Sequence, residues 1–376
     1  YNFHTELKLT DAYTKSGFFA NAHGLEVRLS SIDYDKSRRD IDFPYQSVNH
    51  FKAMSHTVYQ HGNLALEANI AYQNNHRKEL AEAVSHGYMP IPPHTLEREF
   101  KKDTYTANVI MRLTMGERHT LTTGINSEYQ HNRRNGWGFI IPDFETTSFG
   151  AYAFDRYTIK KDLILNAGVR YDHVTTNIHS YNDWFKTPIN ATDSVYKQRS
   201  QDLHRSFNSL TWSAGINYAT GNWILKANIG KSFRVPIPKE LGTDGINYHI
   251  FRYEKGNPTL NPEESYQLDL GLRWGNDKVT VQFDPYLNYF PNYIYMNPTP
   301  NYYEGLQWYY YTQSRVIRSG FELQANWKIC PFLSAEVKGE YLYAEQLSGE
   351  KKGYTLPFST PWSADMTLKY DYCQQK

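Results

Sequence analysis

The chain has 376 residues, 40 Lys and Arg against 39 Asp and Glu, and an unusual 16% of aromatic residues carried mainly by 32 tyrosines. A net charge of +1 supplies no global field for nucleic acid or an anionic surface. A mean hydropathy of -0.68 without any apolar run of about 18 residues excludes membrane-spanning helices, but not a membrane β-barrel, whose strands need only about 10 residues with half of them apolar.

Taken in chain order, period-two patterning predicts about 15 strands, near residues 1–9, 17–30, 46–60, 64–76, 103–115, 119–131, 146–158, 162–174, 207–219, 222–235, 262–274, 278–290, 309–329, 333–345 and 361–373. Leu163, Leu165, Ala167, Val169 and Tyr171 alternate with Asn166, Arg170 and Asp172. Tyr266, Leu268, Leu270, Leu272 and Trp274 alternate with Gln267, Asp269, Gly271 and Arg273. Phe321, Leu323, Ala325 and Trp327 do so against Glu322, Gln324, Asn326 and Lys328. No helical period of comparable length competes.

Short hairpin turns fall at His61-Gly62-Asn63, Gly116-Glu117-Arg118, Lys160-Lys161-Asp162, Thr220-Gly221-Asn222, Gly275-Asn276-Asp277 and Cys330-Pro331-Phe332. Between them lie long polar connections, near 31–45, 77–103, 132–146, 174–206, 236–262, 291–308 and 346–360. Strands running up and down would put every short turn on one rim and every long loop on the other, the asymmetry of outer-membrane barrels. A soluble sandwich or propeller also alternates. Strand length, loop asymmetry and aromatic residues near strand ends (Trp223, Trp274, Tyr289, Phe290, Trp327, Tyr343 and Trp362) favour the all-β transmembrane antiparallel up-and-down barrel. Charged inward faces such as Arg170, Asp172, Glu322 and Lys338 need a lumen holding water or another polar body. An odd strand count does not close a single-chain antiparallel barrel, so strands are expected to be missing. Cys330 and Cys373 lack metal or redox spacing and are expected at the short-turn rim.

One segment goes further: Lys231-Ser-Phe-Arg-Val-Pro236, then Glu240-Leu241, then Gly256-Asn-Pro-Thr-Leu-Asn-Pro-Glu-Glu-Ser265 leading into a strand. It resembles the strand-loop-strand signature of TonB-dependent outer-membrane receptors. Arg39-Asp40-Ile41 to Pro44-Tyr45-Gln46, Gly168 to Asp172, and Ser319 to Leu323 also look like Bacteroidetes members of that family. From the residues themselves, Pro258 and Pro262 keep the loop from pairing early, Gly256-Asn257 offers a turn of positive φ, and Glu263 begins the strand. The motif is therefore expected to fix loop-to-strand entry without touching ligand.

The resemblance covers 1–376 as barrel. It implies a plugged barrel of about 22 strands in the outer membrane of a Gram-negative bacterium, with the N-terminal plug and last strands outside this chain. It implies an active importer of a scarce nutrient, an iron-siderophore or haem complex ahead of zinc, cobalamin or glycan. A passive porin or adhesin is the rival reading. Implied partners are outer-membrane lipid, the plug in the lumen, the TonB-ExbB-ExbD complex, a small-molecule ligand and a surface lipoprotein. No nucleic acid, cofactor or catalytic residue is expected, since no nucleophile motif such as G-x-S-x-G occurs.

Candidate ligand residues lie in the long loops. His249, Arg252 and Tyr253 sit in the signature loop, where related metal and haem receptors keep a histidine; the metal, if any, is undetermined. Tyr302, Tyr303 and Trp308 belong to an aromatic cluster able to stack on a planar chelate, a corrin or a sugar. Arg133, Arg134 and Trp137 form a second cluster suited to an anion. The 14 histidines show no tight ligand spacing, and each also reads as a solvated loop or girdle residue.

Overall fold

A computed structural model describes residues 2–17, 41, 44–247, 250–357, 359–360 and 362–372. The long strands are β1 (Asn2–Gly17), β2 (Tyr45–His61), β3 (Leu64–Leu80), β4 (Leu96–Met115), β5 (His119–Asn135), β6 (Phe144–Lys160), β7 (Leu163–Ile178), β10 (Leu203–Thr220), β11 (Trp223–Arg234), β14 (Glu263–Gly275), β15 (Val279–Tyr303), β16 (Leu306–Cys330), β17 (Leu333–Gln346) and β18 (Ser363–Tyr370). Each pairs antiparallel with its sequence neighbour among them, the meander of an up-and-down barrel wall. Four shorter strands, β8 (Tyr181–Pro188), β9 (Ser194–Ser200), β12 (Asp244–Asn247) and β13 (Arg252–Lys255), and one helical turn, α1 (Pro238–Gly242), fold inside the long loops.

Register separates the two faces. Tyr72, Tyr105 and Tyr129 lie side by side on β3, β4 and β5, in line with Leu9 and Ala53 on β1 and β2. Tyr171, Leu210 and Val169, Trp212 continue that apolar face across β7 and β10. Leu7, Leu9, Ile70, Tyr105, Leu210 and Trp212 on it are exposed, the outward apolar face that a membrane barrel requires. The opposite face is polar. There Arg170 donates to Asp172 (Nε to Oδ2, 2.7 Å) and to Asn126 Oδ1 (2.7 Å), and Gly150 leaves the room, since a Cβ would fall 2.3 Å from the guanidinium. At the short-turn rim Trp223 pairs with Trp274, and Gly62, Gly116 and Gly221 carry the positive φ that two-residue hairpins require.

Two expectations change. β1 continues to Gly17 instead of ending near residue 9, because its outer half (Thr10, Asp11, Thr14, Lys15, Ser16) is polar on both faces and loses the alternation while keeping the ladder. The strand expected at 17–30 otherwise lies outside the described residues, as do Cys373 and His249. The expected loop 291–308 is instead an extension of β15 and β16, closed by the two-residue turn Glu304-Gly305 with φ of 49° and 78°. Pro291, Pro298 and Pro300 read as loop residues; they fall at the two register shifts, Phe290/Tyr293 and Pro298/Tyr302, where the ladder asks for no N–H.

Candidate functional site

The signature segment is a latch at the mouth of the wall. Arg234, last residue of β11, donates to Glu240 Oε2 at 2.8 Å and reaches Glu263 Oε2 at 3.3 Å. Both carboxylates also accept backbone N–H groups, Glu240 from Ile237 at 2.9 Å and Glu263 from Ile294 at 2.7 Å. Leu241 and Leu260 fill a small core with Phe144, Ile178, Phe207 and Ile294. Gly256 is required by close approach rather than by a positive φ: a Cβ would meet the backbone of Leu241, Gly242 and Thr243 at 2.9 Å. Asn257 Oδ1 accepts from the Thr259 N–H at 2.9 Å, an Asx turn, while Arg205 donates to the Pro258 and Leu260 carbonyls. The motif thus sets loop geometry through named contacts.

Beyond the latch the loop climbs. β12 and β13 form a hairpin, and β13 adds in parallel to the outer part of β16, pairing Tyr253 with Trp308. This brings together three residues expected from sequence. The Tyr253 ring stacks on Trp308 (centroids 5.4 Å, 26°) and lies 4.7 Å from Tyr303. Two cations not singled out from sequence come from β9: Lys197 Nζ sits 3.6 Å over the Tyr303 ring and 5.5 Å from Tyr253, and Arg199 lies 5.9 Å from Tyr303. Arg199 is 4% exposed and held by Asp183 at 2.8 Å, whereas Lys197 makes no ion pair among the described residues. Lys255 stands 5.1 Å over Trp308.

Electrostatics follow from this packing. Burial, together with the Asp244 carboxylate that accepts its proton, raises the Tyr253 phenol far above its ordinary range. Burial, with Glu304 beside it, pushes Tyr303 up to about 12. Burial and the adjacent Arg199 pull the Lys197 ammonium below the usual lysine range. Glu254, 1% exposed, is desolvated yet held low by Lys239 at 2.6 Å, Arg252 at 2.7 Å and Asn247 at 3.0 Å. Arg252 is therefore committed to Glu254, with Tyr309 under its guanidinium at 5.1 Å.

The second expected cluster divides. Arg134 is built into its loop: it donates to the Gly136 and Gly138 carbonyls (2.7 and 3.3 Å) and covers Tyr181 at 3.9 Å. Trp137 is 5% exposed, its carbonyl accepting from Trp184 Nε1 at 3.2 Å. A cavity of about 20 Å³, room for about one water, is lined by Trp137, Phe139, Asp183, Arg199, Gly245 and Ile246 and joins this cluster to the first. Arg133 is exposed on the outer face of β5, away from both, and Tyr302 is 65% exposed at the β15–β16 tip. Among the described residues no three His, Cys, Asp or Glu side chains converge as a metal site. Lys197, Arg199 and Asp183 escaped sequence reading because β8–β9 carries neither a motif nor an alternation of apolar with polar residues.

No curated protein matches this sequence. Among solved structures the chain is similar to the copper transporter OprC (TM-score 0.67, 13% identity, covering 88% of this chain and 55% of that one). It is also similar to the FrpB iron transporter from Neisseria meningitidis, F5-1 variant (0.65, 13%, 98% and 56%), and to the ferric-catecholate import receptor Fiu from K12 E. coli (0.61, 15%, 98% and 59%). At such identities the likeness shows the fold, and the chain spans little more than half the length of these structures. A family model described as TonB dependent receptor-like, beta-barrel, matches residues 3–375. An unbroken wall of antiparallel strands, apolar on one side and polar on the other, and a match over nearly its whole length place this chain in the TonB-dependent receptor β-barrel family.

Proposed function

We propose that this chain is the barrel portion of an active importer that captures a scarce nutrient in its external loops, with an iron-siderophore or haem complex as the preferred cargo class. One observation carries the reading: the Lys197 ammonium, without an ion pair among the described residues, faces the stacked Tyr253, Tyr303 and Trp308 rings. A cation set on aromatic faces suits a ligand that is both planar and anionic, as many metal chelates are. Trp308 Nε1 is buried without a hydrogen-bond partner among the described residues and offers a donor to such a ligand. Iron and ferric-catecholate import by the similar structures agrees with this choice.

Arg252, held by Glu254, and the exposed Tyr302 border the proposed ligand surface, and the small cavity lined by Trp137 and Arg199 joins the second cluster to it; His249 is a further candidate outside the described residues. A plug supplied by sequence outside this chain fills the polar lumen and couples to TonB, ExbB and ExbD, so that ligand capture is followed by plug rearrangement. Growth of a deletion strain on single iron sources tests the proposal. Loss of growth on one ferric chelate or on haem, restored by the gene but not by a Lys197→Glu allele, is the expected result. Unchanged uptake of every iron, haem and glycan source overturns it.

A further inference from the structure

The long loop between β3 and β4 is closed at its base by the Ala81 N–H, which donates to the Thr95 carbonyl at 3.0 Å, and within it by a tight turn. There the His86 N–H donates to the Met89 carbonyl at 3.3 Å, and the Met89 N–H returns to the His86 carbonyl at 2.9 Å, with Gly87 at a φ of 56° inside the turn. Two residues directly opposite on an antiparallel bridge send their side chains to the same face, with Cβ atoms about 5 Å apart. His86 and Met89 therefore stand side by side. Pro90, Pro92 and Pro93 follow at once, and their fixed φ stiffens the arm that carries Met89.

That shared face is turned to Trp137, in the loop between β5 and β6. The His86 ring lies 6.2 Å from the indole at an angle of 32°, with its Nε2 shielded from solvent, and Met89 is 3% exposed. Met89 and Trp137 both line the cavity of about 20 Å³ described above. An imidazole that reads from sequence as a solvated loop residue is thus packed with a thioether and an indole beside a void with room for about one small ion or water.

The donor set decides what such a place can hold. Zinc asks for about four nitrogen, sulfur or oxygen ligands, and among the described residues no three His, Cys, Asp or Glu side chains converge. A thioether with an imidazole is a soft pair, the combination that suits Cu(I), and closed-shell monovalent ions of this kind accept a pair of donors in line. An aromatic face beside the ion adds cation–π attraction. Charge agrees. Among the residues lining the cavity only Asp183 and Arg199 are charged, and they are paired with each other at 2.8 Å. The Glu304 carboxylate rests on Gly87 in the turn itself, so close that a Cβ there would clash with it. One added positive charge has a carboxylate to match it, whereas a second would be buried uncompensated.

We propose that His86 and Met89 bind a single soft monovalent cation, Cu(I) or its analogue Ag(I), against Trp137. The site differs from the Lys197 cluster in its donors and in the charge of its ligand, and it does not depend on the cargo class put forward above. Bound there, the ion ties the β3–β4 turn to the β5–β6 loop.

Full-length protein, stripped of metal in detergent, is titrated without oxygen with Cu(I) held by the chromophoric chelator bicinchoninate, and in parallel with Ag(I) and with Zn²⁺. Wild type should withdraw one equivalent of Cu(I) from the chelator, and X-ray absorption should show both nitrogen and sulfur scatterers on the copper. Met89→Leu keeps volume and apolarity, so the metal-free melting temperature should hold while the Cu(I) dissociation constant rises at least about tenfold and the sulfur scatterer disappears. Met89→Cys supplies sulfur again and should restore binding, whereas Met115→Leu, at the end of β4 on the short-turn rim, should bind like wild type. Failure to withdraw Cu(I), zinc held as tightly as Cu(I), or undiminished affinity and sulfur scattering in Met89→Leu overturns the assignment.

Discussion

Lys197 illustrates how much a single side chain can be asked to do outside a motif. Its ammonium sits 3.6 Å over Tyr303 in a partly desolvated position that lowers its pKa. A lysine depressed in this way loses its charge at a lower pH than an exposed one, so affinity for an anionic ligand should fall as pH rises through the lowered value. Lys197→Arg keeps its charge throughout and should remove that alkaline fall, which ligand titrations across the alkaline range will check. Lys197→Met should weaken binding by about 1.5–3 kcal/mol at neutral pH, the worth of a hydrogen bond to a charged group, seen as a roughly 10- to 100-fold rise in Kd. Arg234 acts structurally instead. Arg234→Ala leaves Glu240 and Glu263 unpaired in a nearly buried setting, with side-chain exposures of 10% and 15%. Breaking such a pair costs about 3–5 kcal/mol when fully buried; the guanidinium is 40% exposed, so about 1–2 kcal/mol of local stability is expected to go. Faster proteolysis within 236–262, with the barrel itself still resistant, is the readout.

At the level of elements, legibility tracked the physics that each segment obeys. Wall strands such as β14 and β16 were plain because lipid on one side and a polar lumen on the other enforce a strict period of two. Outside the membrane that constraint lapses. The outer half of β1, the outer third of β15 with its prolines, and the β8–β9 hairpin all keep ladder hydrogen bonds without two-sided patterning, so they read as loops. Of the candidate site, Tyr303 and Trp308 were found through an aromatic-rich segment and Tyr253 through the signature loop of the resemblance, but their meeting depends on the parallel β13–β16 ladder, which no local pattern announces. Lys197 was missed for the same reason. Gly256 tests the fold of this loop: Gly256→Ala drives a methyl against three backbone atoms at 2.9 Å and should cost about 1–3 kcal/mol, opening the hairpin from β16. Quenching of Trp308 fluorescence by an aqueous quencher should then increase, and a Trp308→Phe background should abolish the signal.

For the whole molecule, the sorting of short turns to one rim and long loops to the other gives a topological test. Cys330, the last residue of β16 beside the short turn to β17, should be unreachable by a bulky impermeant maleimide in intact cells and become labelled once the outer membrane is permeabilised. Asn190→Cys, at the exposed β8–β9 tip, should label without permeabilisation; both measurements are made with Cys373→Ser in place. The same asymmetry bears on height. β15 and β16 run 25 residues each, about 80 Å along the strand, whereas crossing an apolar band about 25 Å tall at a tilt near 45° uses only about 11 residues. The remainder stands as a mast over the cell surface, with Tyr303 and Trp308 near its top and β13 splinted against it. Under the function proposed above, a molecule captured at Tyr253, Tyr303 and Trp308 has some tens of ångströms of mast to descend before the mouth of the barrel, a descent that a ligand bound at the rim would not face.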